Sequence, residues 1–236
     1  MIQTEGIFVG GSAISAPIIG EDFNWSGGDG TYQVLDDGGG NWRIKFLSSG
    51  TFTPLKDMVI DAFLVGGGGG SGNSFCGSGG AGYTTTVRSI VLAANTAYPI
   101  VVGAAGTNGN PSSAGGETTA FTASAAGGKN TSNGTSSSKR PGGAGGSGGA
   151  GYVSPVATTT GGTDGGDGTS SATTGGKGQG TTTREFGEAD GTLYASGGGR
   201  NLTATVPNSG NGGLFSTTHP IHPADGIVVI RQHKAA

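Results

Sequence analysis

Along residues 41–46 the chain alternates, with Trp42, Ile44 and Phe46 on one side and Arg43 and Lys45 on the other. A period of two is that of a half-buried β-strand. "TYQVLDD" and "NWRIKFLSSGTFTP" flank "DDGGGN", which predicts a hairpin or short meander. Trp25 and Trp42 are expected to anchor its core. In "DMVIDAFLVGG", Val59 and residues 62–65 form a denser apolar strand. Near the other end, "GIVVIRQ" is apolar and β-branched from Ile227 to Ile230, and it suits "VIDAFLV" as a partner. That pairing would tie together the ends of everything between them and lower the entropy cost of ordering it.

What lies between is a second pattern. Glycine blocks ("GGGGGSGNSFCGSGGAG", "GGAGGSGGAG", "GGTDGGDG", "GGKGQG", "SGGGR") alternate with short pieces that read as strands: "YTTTVRSIVL", "AYPIVVGAAG", "TTAFTASAAGG" and "TTTREFGEADGTLYASGG". Apolar residues never recur at helical spacing, and each glycine opposes a helix by about 1 kcal/mol. The expected fold is therefore all-β: short antiparallel β modules and a glycine-rich body, with essentially no α-helix. The expected division is an attachment or folding module at residues 1–57, then a glycine-rich domain at 58–236 closed by a strand at 226–232.

Gly-Gly-X can itself be structure. An extended left-handed helix has three residues per turn and no internal hydrogen bonds. With Gly-Gly-X, two of its three faces carry no side chain, so neighbouring backbones approach and pair their N–H and C=O groups. Gly142, Gly143, Gly145, Gly146, Gly148 and Gly149 have this spacing. They predict a rod at the centre of a bundle of polyglycine II helices, with residues 142–151 spanning roughly 30 Å at about 3.1 Å per residue.

Composition narrows the alternatives. Glycine (54) and proline (9) exceed a quarter of the 236 residues, a level common in disordered chains. Yet only 11% of residues are charged and the net charge is −3, too little to hold a chain open. No basic stripe exists for nucleic acid. No apolar run approaches the roughly 20 residues of a membrane span. The first residues lack a basic stretch followed by an apolar core, so no signal peptide is expected. Cys76 is the single cysteine, which excludes an intrachain disulfide; it is read as a core or turn residue.

Several motifs carry less than they suggest. Gly67, Gly69 and Gly72 match G-x-G-x-x-G after a strand, but "NSFCGSGGAGYTTT" follows where a helix is needed. "GGKGQG" lacks the Ser/Thr of a phosphate loop. Asp164 and Asp167 are too few for a calcium loop. His219 and His222 in "HPIHP", with His233, read as solvated imidazoles on a proline-stiffened turn rather than a metal site. No carboxylate pair or Ser/His/Asp set stands out, so neither catalysis nor a cofactor is expected.

The ordered set "KFLSSGTFTPLKDMVIDAFLVGGGGGSG", "GGAGYTTTVRSIVLAANTAYPIVVGAAG", "GQGTTTREFGEADGTLYASGGG" and "GIVVIRQ" resembles the glycine-rich tail proteins of phages and prophages of gut Firmicutes. In architecture the chain is also similar to the tail-fibre-tip adhesins of T-even phages, where polyglycine II helices carry variable loops that bind the host. The resemblance implies a virion component made in the host cytoplasm, with a bacterial surface glycan or protein and other tail proteins as partners, and a possible homotrimer. The chain departs from the pattern at "RNLTATVPNSGNGGLFSTTHPIHPAD", poorer in glycine, which marks residues 200–225 as a specialised tip or capping loop.

Binding residues concentrate on loops held by a rigid scaffold. The candidates are Lys139 and Arg140, Tyr152, and Phe215 with His219 and His222: aromatic rings to stack on sugars, cations to meet acidic glycans. The expected function is a non-enzymatic phage tail adhesin. Two other classes stay open: a structural virion part without a receptor, and an ice-binding or matrix protein on the same scaffold, against which the bulky charged piece "TTTREFGEADG" speaks.

Overall fold

The computed structural model describes residues 22–73, 75–132, 142–151, 183–199, 206–214 and 221–232. Among these residues ten strands form two antiparallel five-stranded sheets packed face to face. One sheet has the order β1 (Phe23–Trp25), β4 (Gly50–Pro54), β7 (Tyr98–Val101), β8 (Thr118–Ala120), β9 (Ala123–Ala125). The other runs β2 (Tyr32–Gly38), β3 (Asn41–Phe46), β10 (Ile227–Gln232), β5 (Met58–Val65), β6 (Thr84–Leu92). No α-helix occurs among the described residues; a 3-10 turn covers Glu185–Gly187.

The period-two reading of β3 holds. Ile44 and Phe46 point between the sheets and join Phe52, Ile60, Leu64, Ile100, Val228 and Ile230 in one apolar layer. Trp25 packs on Phe46 with ring centroids 4.6 Å apart, and both tryptophans sit partly buried at the layer's margin. β2 and β3 form the predicted hairpin, turned at Gly38, Gly39 and Gly40, all with positive φ. The terminal strand β10 pairs with β5 over its whole length, Ile227 opposite Val65 through Gln232 opposite Ile60.

Two readings need correction. "NWRIKFLSSGTFTP" is not one strand: it breaks at 47–49, and its halves enter opposite sheets. Consequently strands from both sides of residue 57 are paired in both sheets, through β3 with β10 and β4 with β7. The piece 183–194 is not a strand either. It holds the 3-10 turn and touches strand geometry at one bridge, Arg184 with Leu193.

That piece covers the outer face of the second sheet. Phe186 and Tyr194 pack on Phe63, and the Arg231 guanidinium lies 4.1 Å from the centre of the Phe186 ring. Arg43 and Lys45, which by pattern alone look solvated, point at Glu185, itself 1% exposed. Arg43 Nη1 donates to Glu185 Oε1 at 2.5 Å, the Tyr194 hydroxyl donates to Oε2 at 3.2 Å, and Lys45 Nζ lies 3.5 Å from Oε2. Alongside, buried Asp61 accepts from Arg231 Nε (3.2 Å), Arg88 Nη1 (3.3 Å) and the Ser89 N–H (3.1 Å). Each buried charge is thus met by donors, without which it would be strongly destabilising.

Burial, then the negative Glu185 beside it, pushes the Tyr194 hydroxyl well above the ordinary tyrosine value of 10.0. A raised acid pKa means the folded state keeps its proton where the unfolded state loses it. Stability from this group is complete below pH 10 and declines above it. Melting temperature is expected to fall as pH rises from about 10 to 11, and Tyr194→Phe should reduce that slope relative to the parent; equal slopes would contradict the assignment.

Beyond the strand ends the chain continues as glycine-rich rods. Residues 66–71 run directly on from β5, and consecutive amides turn to different neighbours. Gly66 and Gly69 donate to Tyr83 and Gly80; Gly67 and Gly70 donate to Gly116 and Ser113; Gly68 donates to Ala224. The carbonyls behave alike: Gly67 and Gly70 accept from Gly128 and Thr131, Gly68 and Ser71 from Gly106 and Gly109, and Gly69 from Gly213. Partners repeat every third residue, the signature of a three-residue helix. Residues 78–83 follow the same rule, donating in turn to Ala150, Gly213, Lys129, Ser147, Gly210 and Ala126.

Among the described residues two adjacent rods therefore lie at the centre of the bundle: 66–71, enclosed by six neighbouring segments (residues 80–83, 113–116, 224, 106–109, 128–131 and 213), and 78–83, likewise enclosed by six (residues 147–150, 210–213, 126–129, 143–146, 198 and 66–69). Neither is 142–151. That stretch bends at 145–147 and returns. Gly143 and Gly146 donate to Ser78 and Ala81, while the same two residues donate back to Ala150 and Ser147, so the two halves run oppositely along one neighbour. The expected single rod of roughly 30 Å is two short ones, joined by the Gly149 N–H to the Gly143 carbonyl. Its six spaced glycines are all buried, as the packing argument requires.

Candidate recognition surface

Rods leave the sandwich after β5, β7 and β9 and return before β6, β8 and β10. Their connections therefore fall at the end of the bundle away from the sheets. Turn 72–77 links rod 66–71 to rod 78–83, turn 109–112 links 103–108 to 113–116, and rods 209–214 and 221–226 meet at the Leu214–Ile221 bridge.

The far end is cross-braced by short polar side chains. Ser71 Oγ donates to the Gly77 carbonyl at 3.0 Å, Cys76 Sγ to Gly72 at 2.7 Å, and Thr131 Oγ1 to Gly77 at 2.6 Å. Cys76 is thus a turn residue. Asn108 ties three segments: its Oδ1 accepts from the Ser71 N–H at 2.8 Å, and its Nδ2 donates to Ile221 at 2.9 Å and Leu214 at 3.4 Å. Leu214 and Ile221 exchange both N–H···O bonds at 2.8 Å, fastening the ends of rods 209–214 and 221–226 together. Phe75 stands exposed on the first turn in a left-handed conformation, φ 47.

Of the residues expected to bind, His222 is described; it is exposed beside the Leu214–Ile221 closure. Lys139, Arg140, Tyr152, Phe215 and His219 lie outside the described residues. The described neighbours of the first three, Gly142 and Gly151, flank the contacts of 143 and 150 with Ser78, which begins its rod just after turn 72–77. Asn108 was missed by sequence reasoning, although "TNGNPSS" carries strong turn dipeptides. The segment 200–225, expected as a capping loop, contributes rods through its described parts: Gly82 and Gly79 donate to Gly210 and Gly213, and Gly68 to Ala224. The motif at Gly67, Gly69 and Gly72 is a buried central rod running into a turn, with no helix behind it. Among the described residues no three His, Cys, Asp or Glu side chains gather as a metal would need.

A sequence model of a family described as a glycine-rich domain matches residues 47–231, from the approach to β4 through most of β10. No curated protein matches the chain.

Proposed function

The chain belongs to the glycine-rich domain family; from the geometry of the bundle's far end, together with the resemblance of its ordered sequence blocks to glycine-rich phage tail proteins, we propose that it is a phage tail adhesin, a non-enzymatic tip that recognises a bacterial surface. One observation carries the reading: the turns gather at the far end on rods locked to several neighbours, with Asn108 fastening three of them. Such a scaffold holds loops in place while leaving their sequences free to vary. The ligand class is a surface glycan or protein met by Phe215, His219, His222, Lys139, Arg140 and Tyr152. Partners are the receptor and other tail proteins, and the location is the virion. The charged piece 183–194 lies on the sandwich, so it does not interrupt the bundle; a thermal-hysteresis assay separates the ice-binding alternative.

Binding to intact cells of a panel of gut Firmicutes tests the proposal. The chain is expected to bind at least one strain, and a variant with 215–220 replaced by a Gly/Ser segment of equal length should lose most of that binding while keeping its melting temperature. Unchanged binding by the variant would remove that loop from the site. If no strain is bound, and virions lacking the chain adsorb normally, the protein is a structural part.

A further inference from the structure

The sandwich end carries a feature unrelated to the far loops. An open, shallow cleft of about 690 Å³ lies where the two sheets end side by side. One wall is β6 and the other is formed by β7, β8 and β9; β6 and β9 are each the last strand of their sheet. Thr85 Oγ1 of β6 donates to the Ser124 carbonyl of β9 at 2.7 Å, and beyond that tie Ile90, Val91 and Leu92 line the cleft opposite the β8–β9 turn. Phe121 and Thr122 form that turn with φ 51 and 66, the two positive values of a tight hairpin.

The lining is apolar apart from three hydroxyl side chains, the Tyr98 hydroxyl and one charge. Tyr98 and Phe121 face each other at 5.9 Å, and Val91 is 75% exposed at the rim. Among the described residues Glu117 is the one charged residue lining the cleft, and no described cation pairs with it. Last strands present main-chain donors and acceptors that an added strand can use.

We propose that this cleft docks an extended segment of another protein, its apolar residues on Tyr98 and Val91 and a lysine or arginine on Glu117. Main-chain pairing along a sheet edge supplies affinity and the side-chain positions supply selection. The exposed carboxylate sets the preference for a basic residue rather than the bulk of the binding.

The test uses the full chain and the peptide acetyl-Val-Thr-Val-Lys-Val-Thr-Val-amide, followed by amide chemical shifts. Saturable changes are expected at Val91, Tyr98 and Thr119. A twin peptide with the lysine ε-acetylated should bind about two- to fivefold more weakly at low salt. Glu117→Gln, an exposed change that leaves the fold alone, should bind the two peptides equally. Four results would overturn the proposal: no saturable change at millimolar peptide, equal binding of the twin by the parent chain, equal binding and shifts from n-butylammonium alone, or the same shifts on concentrating the chain without peptide. The third would indicate a pocket for small amines, and the fourth a contact between copies of this chain.

Discussion

Gly68→Ala is expected to lower the melting temperature by at least about 6–12 °C, although it adds a single methyl group. A Cβ at residue 68 would fall onto the Asn211 carbonyl, with the Gly210 oxygen 3.0 Å away. Overpacking an ordinary core costs about 1–3 kcal/mol because side chains shift. Here the obstacle is backbone, and it is fixed. Gly68 donates to Ala224 and accepts from Gly106, and Ala224 donates to Asn211. The cost is therefore above about 3 kcal/mol, at about 2–4 °C per kcal/mol for a chain of this size. The pair Gly143→Val and Gly146→Val should act similarly, since the new atoms would meet the Lys129 and Gly82 carbonyls and, at residue 143, the Gly80 nitrogen at 2.6 Å. Ala104→Ser, at an exposed rod position, should change little. Thermal melts of the four proteins check the set; a flexible linker would tolerate every one of these changes.

The second large effect is expected at Glu185. Its carboxylate is enclosed: it holds 183–194 against the second sheet through Arg43 and Lys45, and accepts from Tyr194 within the same piece. Truncating one partner of a buried ion pair costs about 3–5 kcal/mol, because the remaining charge loses its counterpart. Arg43 is 28% exposed on its side chain and also pairs with Asp37, so the lower end of that range applies. Glu185→Ala should thus lose about 3 kcal/mol in urea unfolding, and Glu185→Gln less, because an amide oxygen still accepts from Tyr194. Arg43→Ala should cost less than Glu185→Ala, since Lys45 and Tyr194 remain on the carboxylate. A loss within about 0.5 kcal/mol for Glu185→Ala, the range of an ordinary surface change, would contradict the role assigned to it.

The strands were legible where apolar residues alternate or cluster. Trp42, Ile44 and Phe46 define β3, and the β-branched run at Ile227 finds its partner in β5. Glycine blocks were legible as rods, but not which rods are central or where a rod turns. Glycine fits a rod and a bend equally well, so nothing in "GGAGGSGGAG" marks the bend at 145–147. The five consecutive glycines 66–70 marked one of the two central rods, but the other, 78–83, accommodates Ser78 and Ala81 fully buried among six neighbours and reads like any Gly-Gly-X block. The outer face of β3 was illegible for another reason. Alternation places Arg43 and Lys45 together, but their buried partner Glu185 lies 142 residues from Arg43, beyond any local pattern. At the far end, Asn108 and the Leu214–Ile221 closure depend on contacts across rods, and only their turn chemistry shows locally.

Amide hydrogen exchange of the glycines tests the central claim most directly. If the blocks are hydrogen-bonded rods, the amides of Gly66, Gly67, Gly68, Gly69 and Gly70 are all donors to neighbouring segments. Each is expected to exchange only with global unfolding, at the rate of the core amides of β5 and β10. Exchange of these five at the rate of an open chain, or protection of alternate residues alone as on the edge of a sheet, would contradict the packed polyglycine bundle.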